Sequence, residues 1–444
     1  MFNTKTYSKL FWPVLIEQIL MTSVGIVNTM MVSSVGVYAI SAVSIVDSIN
    51  FVIMNLFIAF STGATVAIAQ QKGAKDDTGA NESASQSLFA CVLLSLISGI
   101  LIIFFKDNVI EFLFGEAEVL VKSNAIVYLL YSGVSYPFLA TFTISAGVLR
   151  ASGDTKSPMR ISLISNAVNI AIGAFCIYFL NLGVAGAGIA LLSSRIVSAG
   201  ILLLNLYNPK SRICIKKIKP RFTKKVLYPV LRIGIPASLD GMIFNGGKLL
   251  ISTLITSLGT ASLGAHGISS SVASFVNIPG NSISIVAVTV VGQAVGSGVY
   301  GKDLKKIFRS LILFSMVLLG ITSLIMYPAM PFFIDLYNPT SDVKALALTA
   351  LNLVLIFLPL AWPFSFILNA CLRSTGDSLY VTIISVLSMW LVRVCGAWVS
   401  EKYFGMGFLG VWLFWCMDWV TRGTMFLART KFSPYVNNPP AVKE

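Results

Sequence analysis

The sequence predicts an all-α membrane protein with 12 transmembrane helices in two six-helix lobes, related by a pseudo-twofold axis along the membrane normal. Three observations support this fold class. The 444 residues are 56% hydrophobic and only 11% charged, with a mean hydropathy of +0.84, which is not the composition of a soluble globular protein. Apolar runs of about 20 residues recur along the chain, long enough to cross a hydrocarbon core of about 30 Å. The second half of the chain also repeats the pattern of the first.

The repeat is clearest in a motif that occurs twice, as VLRASGD at 148–154 and CLRSTGD at 371–377. Arg150 and Arg373 are 223 residues apart. The same separation joins these further pairs: Pro13 with Pro236, Glu17 with Asp240, Gly36 with Gly259, Gln70 with Gln293 and Gly73 with Gly296. One separation shared by such distant positions indicates a tandem duplication. Six spans per copy is an even number, so the copies share an orientation and are not an inverted repeat.

Each copy is predicted to contain six spans. Those of the first copy cover about residues 10–32, 39–69, 86–105, 123–148, 158–180 and 184–207. Those of the second cover about residues 227–257, 262–294, 308–330, 343–371, 378–399 and 407–428. The predicted domains are therefore an N-terminal lobe at 1–208 and a C-terminal lobe at 227–444, joined by a basic linker at 209–226.

The positive charge of the chain is concentrated in loops on one side of the predicted membrane. Nine basic residues and no acidic residue lie from Lys210 to Arg232, which is typical of a cytoplasmic loop near anionic lipid headgroups. We therefore expect a multi-pass plasma-membrane protein with both termini cytoplasmic. The net charge of +14 is explained by this topology, so we expect contact with lipids and not with nucleic acid. We also expect a monomer. The six cysteines show no CxxC spacing and favour neither a metal site nor disulfides.

Acidic residues inside the spans are candidates for function, because a carboxyl group there is unfavourable unless it faces a cavity or a partner. Glu17 and Asp240 are equivalent in the two copies, and each lies four residues after a proline. Either could hold and release a proton; the alternative is an acid with local hydrogen bonds near the membrane surface. Asp47 is a further candidate without support from the repeat. Asp418 is expected to form an i,i+4 pair with Arg422.

The two copies of the repeated motif are interpreted as helix ends. A glycine before each aspartate suits a tight turn, and the aspartate can cap the next span. Arg150, Asp154, Arg373 and Asp377 are therefore assigned structural or gating roles in preference to contact with a substrate.

These motifs resemble those of the MATE (multidrug and toxic compound extrusion) transporters. The resemblance rests on LRASGDT at 149–155 and its second copy, GIP at 234–236, LGAHGI at 263–268 and WLVR at 390–393. It covers essentially the whole chain. It implies two six-helix lobes in a V shape around a central cavity, and export of small organic, often cationic, compounds driven by inward flux of Na⁺ or H⁺, with no other cofactor.

Two positions depart from the family pattern. An aspartate usual in the first span is replaced by Asn28, and the Asn-x-x-x-Asp pattern of span five is replaced by Asn169 followed by Gly173. An asparagine can ligate Na⁺ through its amide oxygen but cannot carry a proton near neutral pH. We therefore predict H⁺ coupling through Asp240 and Glu17, with Asp240 favoured, and keep Asn28 and Asn169 as ligands for a Na⁺-coupled alternative.

The remaining candidates concern the substrate. Aromatic residues and methionines suit a polyspecific surface, which makes Phe244, Asn245, Tyr136 and Met54 candidates for a cavity, although packing is the commoner role of such side chains. Lys248 and Arg393 are basic residues within spans, and Arg393 is expected to need a buried acid or carbonyl partner.

His266, the only histidine, is interpreted as an interfacial polar residue or, alternatively, as a pH sensor.

One alternative function within the same superfamily is a lipid-linked oligosaccharide flippase, which would need a strongly cationic central cavity. Only a few basic residues lie in the middle of the predicted spans, so the sequence gives this alternative little support. An enzyme is not expected, because no HExxH, GxSxG or P-loop motif is present.

Overall fold

The structure, a computed structural model, describes residues 4–209, 211–215 and 222–437. Part of the predicted linker, residue 210 and residues 216–221, lies outside the described residues. The described residues contain α-helices, three π-helical turns and no strand. Contacts divide the chain into two compact units. The N-terminal unit is Trp12–Ser238, and the C-terminal unit is Leu239–Glu444 together with Met1–Phe11.

Eight helices lie between the N-terminal end of the described residues and Ser257. They are α1 (Thr4–Ser33), α2 (Val37–Gly73), α3 (Asp77–Phe104), α4 (Lys106–Phe114), α5 (Val119–Ala151), α6 (Lys156–Ala174), α7 (Gly183–Tyr207) and α8 (Lys224–Ser257). A π-helical turn, Phe175–Phe179, extends α6. The short helix α4 lies in a segment expected to be a loop; its Ile110 is buried, and this one apolar anchor holds the segment against the unit.

Nine helices follow in the described part of the second half. They are α9 (Thr260–Val276), α10 (Ile278–Gly296), α11 (Gly301–Asp335), α12 (Ser341–Leu360), α13 (Leu368–Thr375), α14 (Ser378–Leu387), α15 (Gly396–Phe404), α16 (Gly407–Phe432) and α17 (Pro434–Asn437). The π-helical turns Pro363–Ile367 and Ser388–Cys395 join α12 to α13 and α14 to α15. Proline lacks a backbone N–H and interrupts α-helical hydrogen bonding, which explains the irregular backbone near Pro359 and Pro363.

Eleven helical segments of the described residues are long and apolar enough to cross a membrane. They correspond to the first eleven predicted spans, and span eight is divided at Asn277 into α9 and α10. The twelfth predicted span is α16, which is 26 residues long and carries buried charged side chains. Several helices extend beyond the predicted apolar runs. For example, α3 begins at Asp77 because Asp76 accepts a hydrogen bond from the Gly79 N–H (2.8 Å), which also lowers the pKa of that carboxyl.

Each unit has its own packed interior. In the N-terminal unit α2, α3, α5 and α7 pack together around Phe57, Leu88 and Tyr136. In the C-terminal unit α12 packs on α9, α11 and α16, and Trp362 and Trp412 are fully buried. Within a bilayer, helices associate through close packing and polar contacts, because lipid tails are as apolar as the side chains. Ion pairs between helices are among these polar contacts in both units.

Candidate functional site

A buried ion pair joins the first helix of the N-terminal unit to its copy of the repeated motif. Arg150 Nη1, at the end of α5, donates a hydrogen bond to Glu17 Oε1 of α1 at 2.8 Å. The Glu17 side chain is 1% exposed and that of Arg150 is 16% exposed. The second carboxylate oxygen, Oε2, is buried without a hydrogen-bond partner in the described residues. The carboxylate is thus matched in charge but only partly satisfied in hydrogen bonding.

The C-terminal unit contains the equivalent pair. Arg373 Nη2, at the end of α13, donates to Asp240 Oδ2 of α8 at 2.6 Å, and Arg373 Nε donates to Asn369 Oδ1 at 2.8 Å. The sequence separation is 133 residues in both pairs. The duplication has therefore preserved one contact in two copies. It brings together residues that the sequence assigned to different roles, the coupling acids and the gating arginines.

The glycines of the repeated motif adopt the turn that was expected. Gly153 has φ +84° and Gly376 has φ +101°, values that favour glycine because it has no Cβ. The aspartates that follow behave differently. Asp154 Oδ1 accepts from the backbone N–H groups of Lys156 (3.2 Å) and Ser157 (3.1 Å), as a cap of α6 should.

Asp377 does not cap α14 through its side chain, and that expectation is wrong. Its carboxylate instead accepts from Arg429 Nε (2.8 Å) and Ser433 Oγ (2.8 Å) near the end of α16. The basic partner outcompetes the helix N–H groups, because a charged donor forms the stronger hydrogen bond. Asp377 thus links the start of α14 to the end of α16, whereas, among the described residues, Asp154 binds only the start of α6, the helix that follows it.

The asparagines proposed as Na⁺ ligands lie in different settings. Asn169 is buried, its Nδ2 lies 3.4 Å from Ser194 Oγ, and its Oδ1 has no hydrogen-bond partner in the described residues. Asn28 is half-buried on α1. Among the described residues there is no group of three or more acidic, histidine or cysteine side chains that could hold a metal ion.

A polar network in the N-terminal unit includes one residue that sequence reasoning missed. Tyr136 Oη donates to Asn50 Oδ1 at 2.9 Å, and Arg195 Nη1 donates to Ser135 Oγ at 2.5 Å. Asp47 is exposed and lies within electrostatic reach of Arg195. Arg195 sits inside an apolar span, which is the same signal that selected Arg393, so its sequence position could have identified it.

The predicted cavity residues are dispersed. Tyr136 is fully buried and packs edge-on against Phe57 at 6.2 Å between ring centroids. Met54 is half-buried on α2. The Asn245 side chain donates to the Gly241 carbonyl of its own helix at 2.7 Å. Phe244 faces a pocket within the C-terminal unit.

This C-terminal pocket has a volume of about 300 Å³. Its lining residues include Phe244, Lys248, His266, Arg393, Trp415 and Trp419. The Arg393 guanidinium stacks 3.9 Å from the centroid of Trp415, so an aromatic face takes the place of the acid or carbonyl partner expected from sequence. Behind the pocket, Arg422 Nη2 donates to Asp418 Oδ2 at 2.7 Å, which confirms the predicted i,i+4 pair.

His266 lies against two of the aromatic rings near this pocket. Its ring centroid is 5.5 Å from that of Trp412 and 6.3 Å from that of Trp415. Its Nε2 is 3.4 Å from Ser270 Oγ, and its Nδ1 is buried without a partner in the described residues. The histidine is therefore part of a partly enclosed aromatic wall.

Comparisons with known proteins agree with this organisation. The sequence model of the MatE family matches residues 13–175 and 236–399, one segment in each copy of the repeat. The probable multidrug resistance protein NorM of Thermotoga maritima is 29% identical over 95% of this chain and 91% of its own length. The probable multidrug resistance protein YoeA of Bacillus subtilis is 25% identical, with coverages of 90% and 88%.

Solved structures share the fold. A MOP superfamily transporter from Pyrococcus furiosus has a TM-score of 0.88 at 21% identity, covering 98% of this chain and 97% of its own. Identity at this level supports the fold alone. The family match, however, includes most of the chain and both copies of its repeat. The chain therefore belongs to the MATE family, whose members are transporters and not enzymes.

Proposed function

We propose that this protein is a multidrug efflux antiporter that exports small organic compounds in exchange for inward-moving protons. The observation that carries the proposal is the duplicated carboxylate–arginine pair, Glu17–Arg150 (2.8 Å) and Asp240–Arg373 (2.6 Å). The names of the relatives, which are multidrug resistance proteins, support the efflux role.

Protonation can act as a switch at these pairs. When Asp240 is ionised, its attraction to Arg373 stabilises the contact between α8 and α13. When it takes a proton, the attraction between the charges is lost and the arginine is left without a counter-charge. A protonated and an ionised carboxyl therefore favour different arrangements of the same helices, which is what coupling to a proton gradient requires. Asp240 is the preferred coupling group, because its side chain is 19% exposed, whereas that of Glu17 is 1% exposed.

A sodium-coupled mechanism is the alternative for the ion. The observation that favours it is the buried Asn169 Oδ1, which has no hydrogen-bond partner in the described residues. Na⁺ prefers several converging oxygens, and an amide oxygen is a suitable ligand. However, the positions usual for the family's first-lobe carboxylates are held here by Asn28 and Gly173.

The test is dye efflux from proteoliposomes under either an imposed pH gradient or an imposed Na⁺ gradient, with no nucleotide. We expect efflux to follow the pH gradient, to be abolished in Asp240→Asn and to be reduced or abolished in Glu17→Gln. Asp335→Asn is the matched control, because it removes a carboxylate from a more exposed ion pair with Lys344 (2.6 Å). Normal proton-driven export by both variants and by the double variant would rule out this coupling pair. Efflux that follows Na⁺ and ignores pH would transfer the role to Asn28 and Asn169.

The setting of this transporter is part of the proposal. We infer a monomer in the plasma membrane, with both termini and the 209–226 linker cytoplasmic and with lobes at 1–208 and 227–444. The basic residues of the linker support that orientation.

A lipid-linked oligosaccharide flippase is a weaker candidate. The cationic side chains of the C-terminal pocket favour it, but a volume of about 300 Å³ is at the lower end of the range for small-molecule sites.

A further inference from the structure

The C-terminal pocket has an excess of positive charge. Lys248 and Arg393 both line it, and neither forms a salt bridge among the described residues. The two acids of the surrounding helices are already paired, Asp240 with Arg373 at 2.6 Å and Asp418 with Arg422 at 2.7 Å. Asp418 also accepts a hydrogen bond from Ser388 Oγ at 2.6 Å. The pocket wall therefore carries two cations that form no salt bridge among the described residues, and Arg393 shares the electrostatic attraction of Asp418 with Arg422.

The geometry of these cations fits recognition of a ligand. Arg393 is 2% exposed, and its Nε is buried without a hydrogen-bond partner in the described residues. Its guanidinium carbon lies over Trp415, 3.9 Å from the ring centroid, and a guanidinium can donate two parallel hydrogen bonds to a planar acceptor. Lys248 is exposed on the wall, with Nζ 5.2 Å from the centroid of Phe244. The same ring has Arg393 and Arg422 at 5.5 Å.

The rest of the wall is aromatic and weakly polar. Trp415 and Trp419 present large ring surfaces, and the pocket also includes the amide of Asn277, whose Oδ1 is buried without a partner in the described residues. Pockets for organic ligands combine apolar rings with a few convergent polar groups in this way. An organic cation would meet two like charges here, whereas an anion would neutralise them.

We propose that the C-terminal pocket binds an aromatic organic anion, with its carboxylate or sulfonate between Lys248 and Arg393 and its ring against the tryptophans. The proposal rests on the efflux function above and names the class of compound carried. It differs from the organic cations that the family resemblance suggested. The arginine contributes a two-pronged hydrogen bond to the acidic group, and the lysine contributes a point charge.

The test is direct binding to the purified full-length protein by calorimetry, without any ion gradient. Three probes share one ring system and differ in charge: 2-naphthoate, its neutral amide, and 2-naphthylmethylammonium. We expect 2-naphthoate to bind at least about 10-fold more tightly than the other two, since a hydrogen bond to a charged group is usually worth that much or more. Equal affinities, or preference for the ammonium probe, would overturn the proposal.

Variants locate the binding. Lys248→Met and Arg393→Gln should each lower the affinity for 2-naphthoate by about 10-fold or more. The affinity for the neutral amide should change by less than about 2-fold. Lys402→Gln is the control, because Lys402 Nζ also lies over an aromatic ring, Trp398 at 5.0 Å, but does not line the pocket. Arg393→Lys should retain part of the affinity, which distinguishes loss of charge from loss of fold. Naphthoate affinity that survives in both pocket variants would place the site elsewhere.

The binding and transport experiments test the pocket assignment and the antiport function independently. If 2-naphthoate binds as expected but no gradient drives efflux, the pocket assignment stands and the antiport function fails. If a pH gradient drives efflux of a cationic dye while 2-naphthoate does not bind, the antiport function stands and the pocket assignment fails.

Discussion

Removal of one partner from the Asp240–Arg373 pair should give a pH-dependent loss of stability. Arg373→Met leaves the Asp240 carboxylate, whose side chain is 19% exposed, without its counter-charge. The folded variant can then neutralise Asp240 with a proton, which for a carboxyl of ordinary pKa near 3.9 costs about 4 kcal/mol at pH 7 and about 1.5 kcal/mol at pH 5. The first value lies within the usual cost of about 3–5 kcal/mol for breaking a buried pair.

The direction of this pH dependence follows from the protons that the folded and unfolded chains bind. Folded Arg373→Met binds a proton at Asp240 that the unfolded chain has lost at pH 7, so its stability relative to wild type decreases as pH rises. Asp240→Asn leaves Arg373 instead, and an arginine cannot release its proton. With Asp240 of the folded wild type ionised at both pH 5 and pH 7, the stability lost in Asp240→Asn should be the same at these two pH values. The double variant, which retains neither charge, should recover most of the stability.

Thermal unfolding of the purified protein, followed by tryptophan fluorescence, measures these effects. For unfolding of the C-terminal unit, which has about half of the residues of the chain, 1 kcal/mol corresponds to about 2–4 °C. Arg373→Met should therefore lower the Tm of this unit by about 8–16 °C at pH 7 and by about 3–6 °C at pH 5. Lys344→Met is the control, because its pair with Asp335 is more exposed and should contribute less than about 1 kcal/mol. A decrease in Tm that is independent of pH for Arg373→Met, or a double variant no more stable than the singles, would refute this reasoning.

Two further predictions follow from other parts of the chain. Asp154→Ala should destabilise the protein by about 0.5–2 kcal/mol, since it removes the acceptor for two N–H groups at the start of α6; an unchanged Tm would show that the cap contributes nothing. Lys224→Cys, at an exposed position in a background without native cysteines, should react with a membrane-impermeant maleimide in inverted vesicles but not in intact cells. Labelling from outside intact cells would contradict a cytoplasmic linker.

Much of the fold could be predicted from the sequence, because a bilayer imposes a simple length requirement on each apolar run. Irregular segments inside the spans could not. The break at Asn277 and the π-helical turns at Phe175–Phe179 and Ser388–Cys395 depend on local packing, which hydropathy does not report. The short helix α4 was missed for a related reason, since its single buried residue, Ile110, gives no periodic pattern.

The candidate site was predicted less completely. Glu17 and Asp240 were recognisable because a carboxyl in an apolar span is unusual and because the repeat joins them. Their partners, Arg150 and Arg373, were recognised only as ends of helices. Each contact spans 133 residues of sequence, so the pairing depends on how helices pack and not on any local pattern. The repeat did indicate the pairing, because an acidic residue and an arginine occur 133 residues apart in both copies.

The two copies of the repeat differ in the charged residues at positions equivalent to the C-terminal pocket. With the 223-residue separation, Lys248 corresponds to Gly25, and Ser270 of the pocket corresponds to Asp47. The N-terminal copy thus has an acid where the C-terminal copy has a hydroxyl, and no charge where the C-terminal copy has a lysine. The carboxylate–arginine pair, by contrast, is present in both. A contact retained by both copies is suited to a movement that both must make, whereas charges present in one copy alone are suited to choosing a ligand. The shared pair is therefore the better candidate for coupling, and the C-terminal pocket for selectivity.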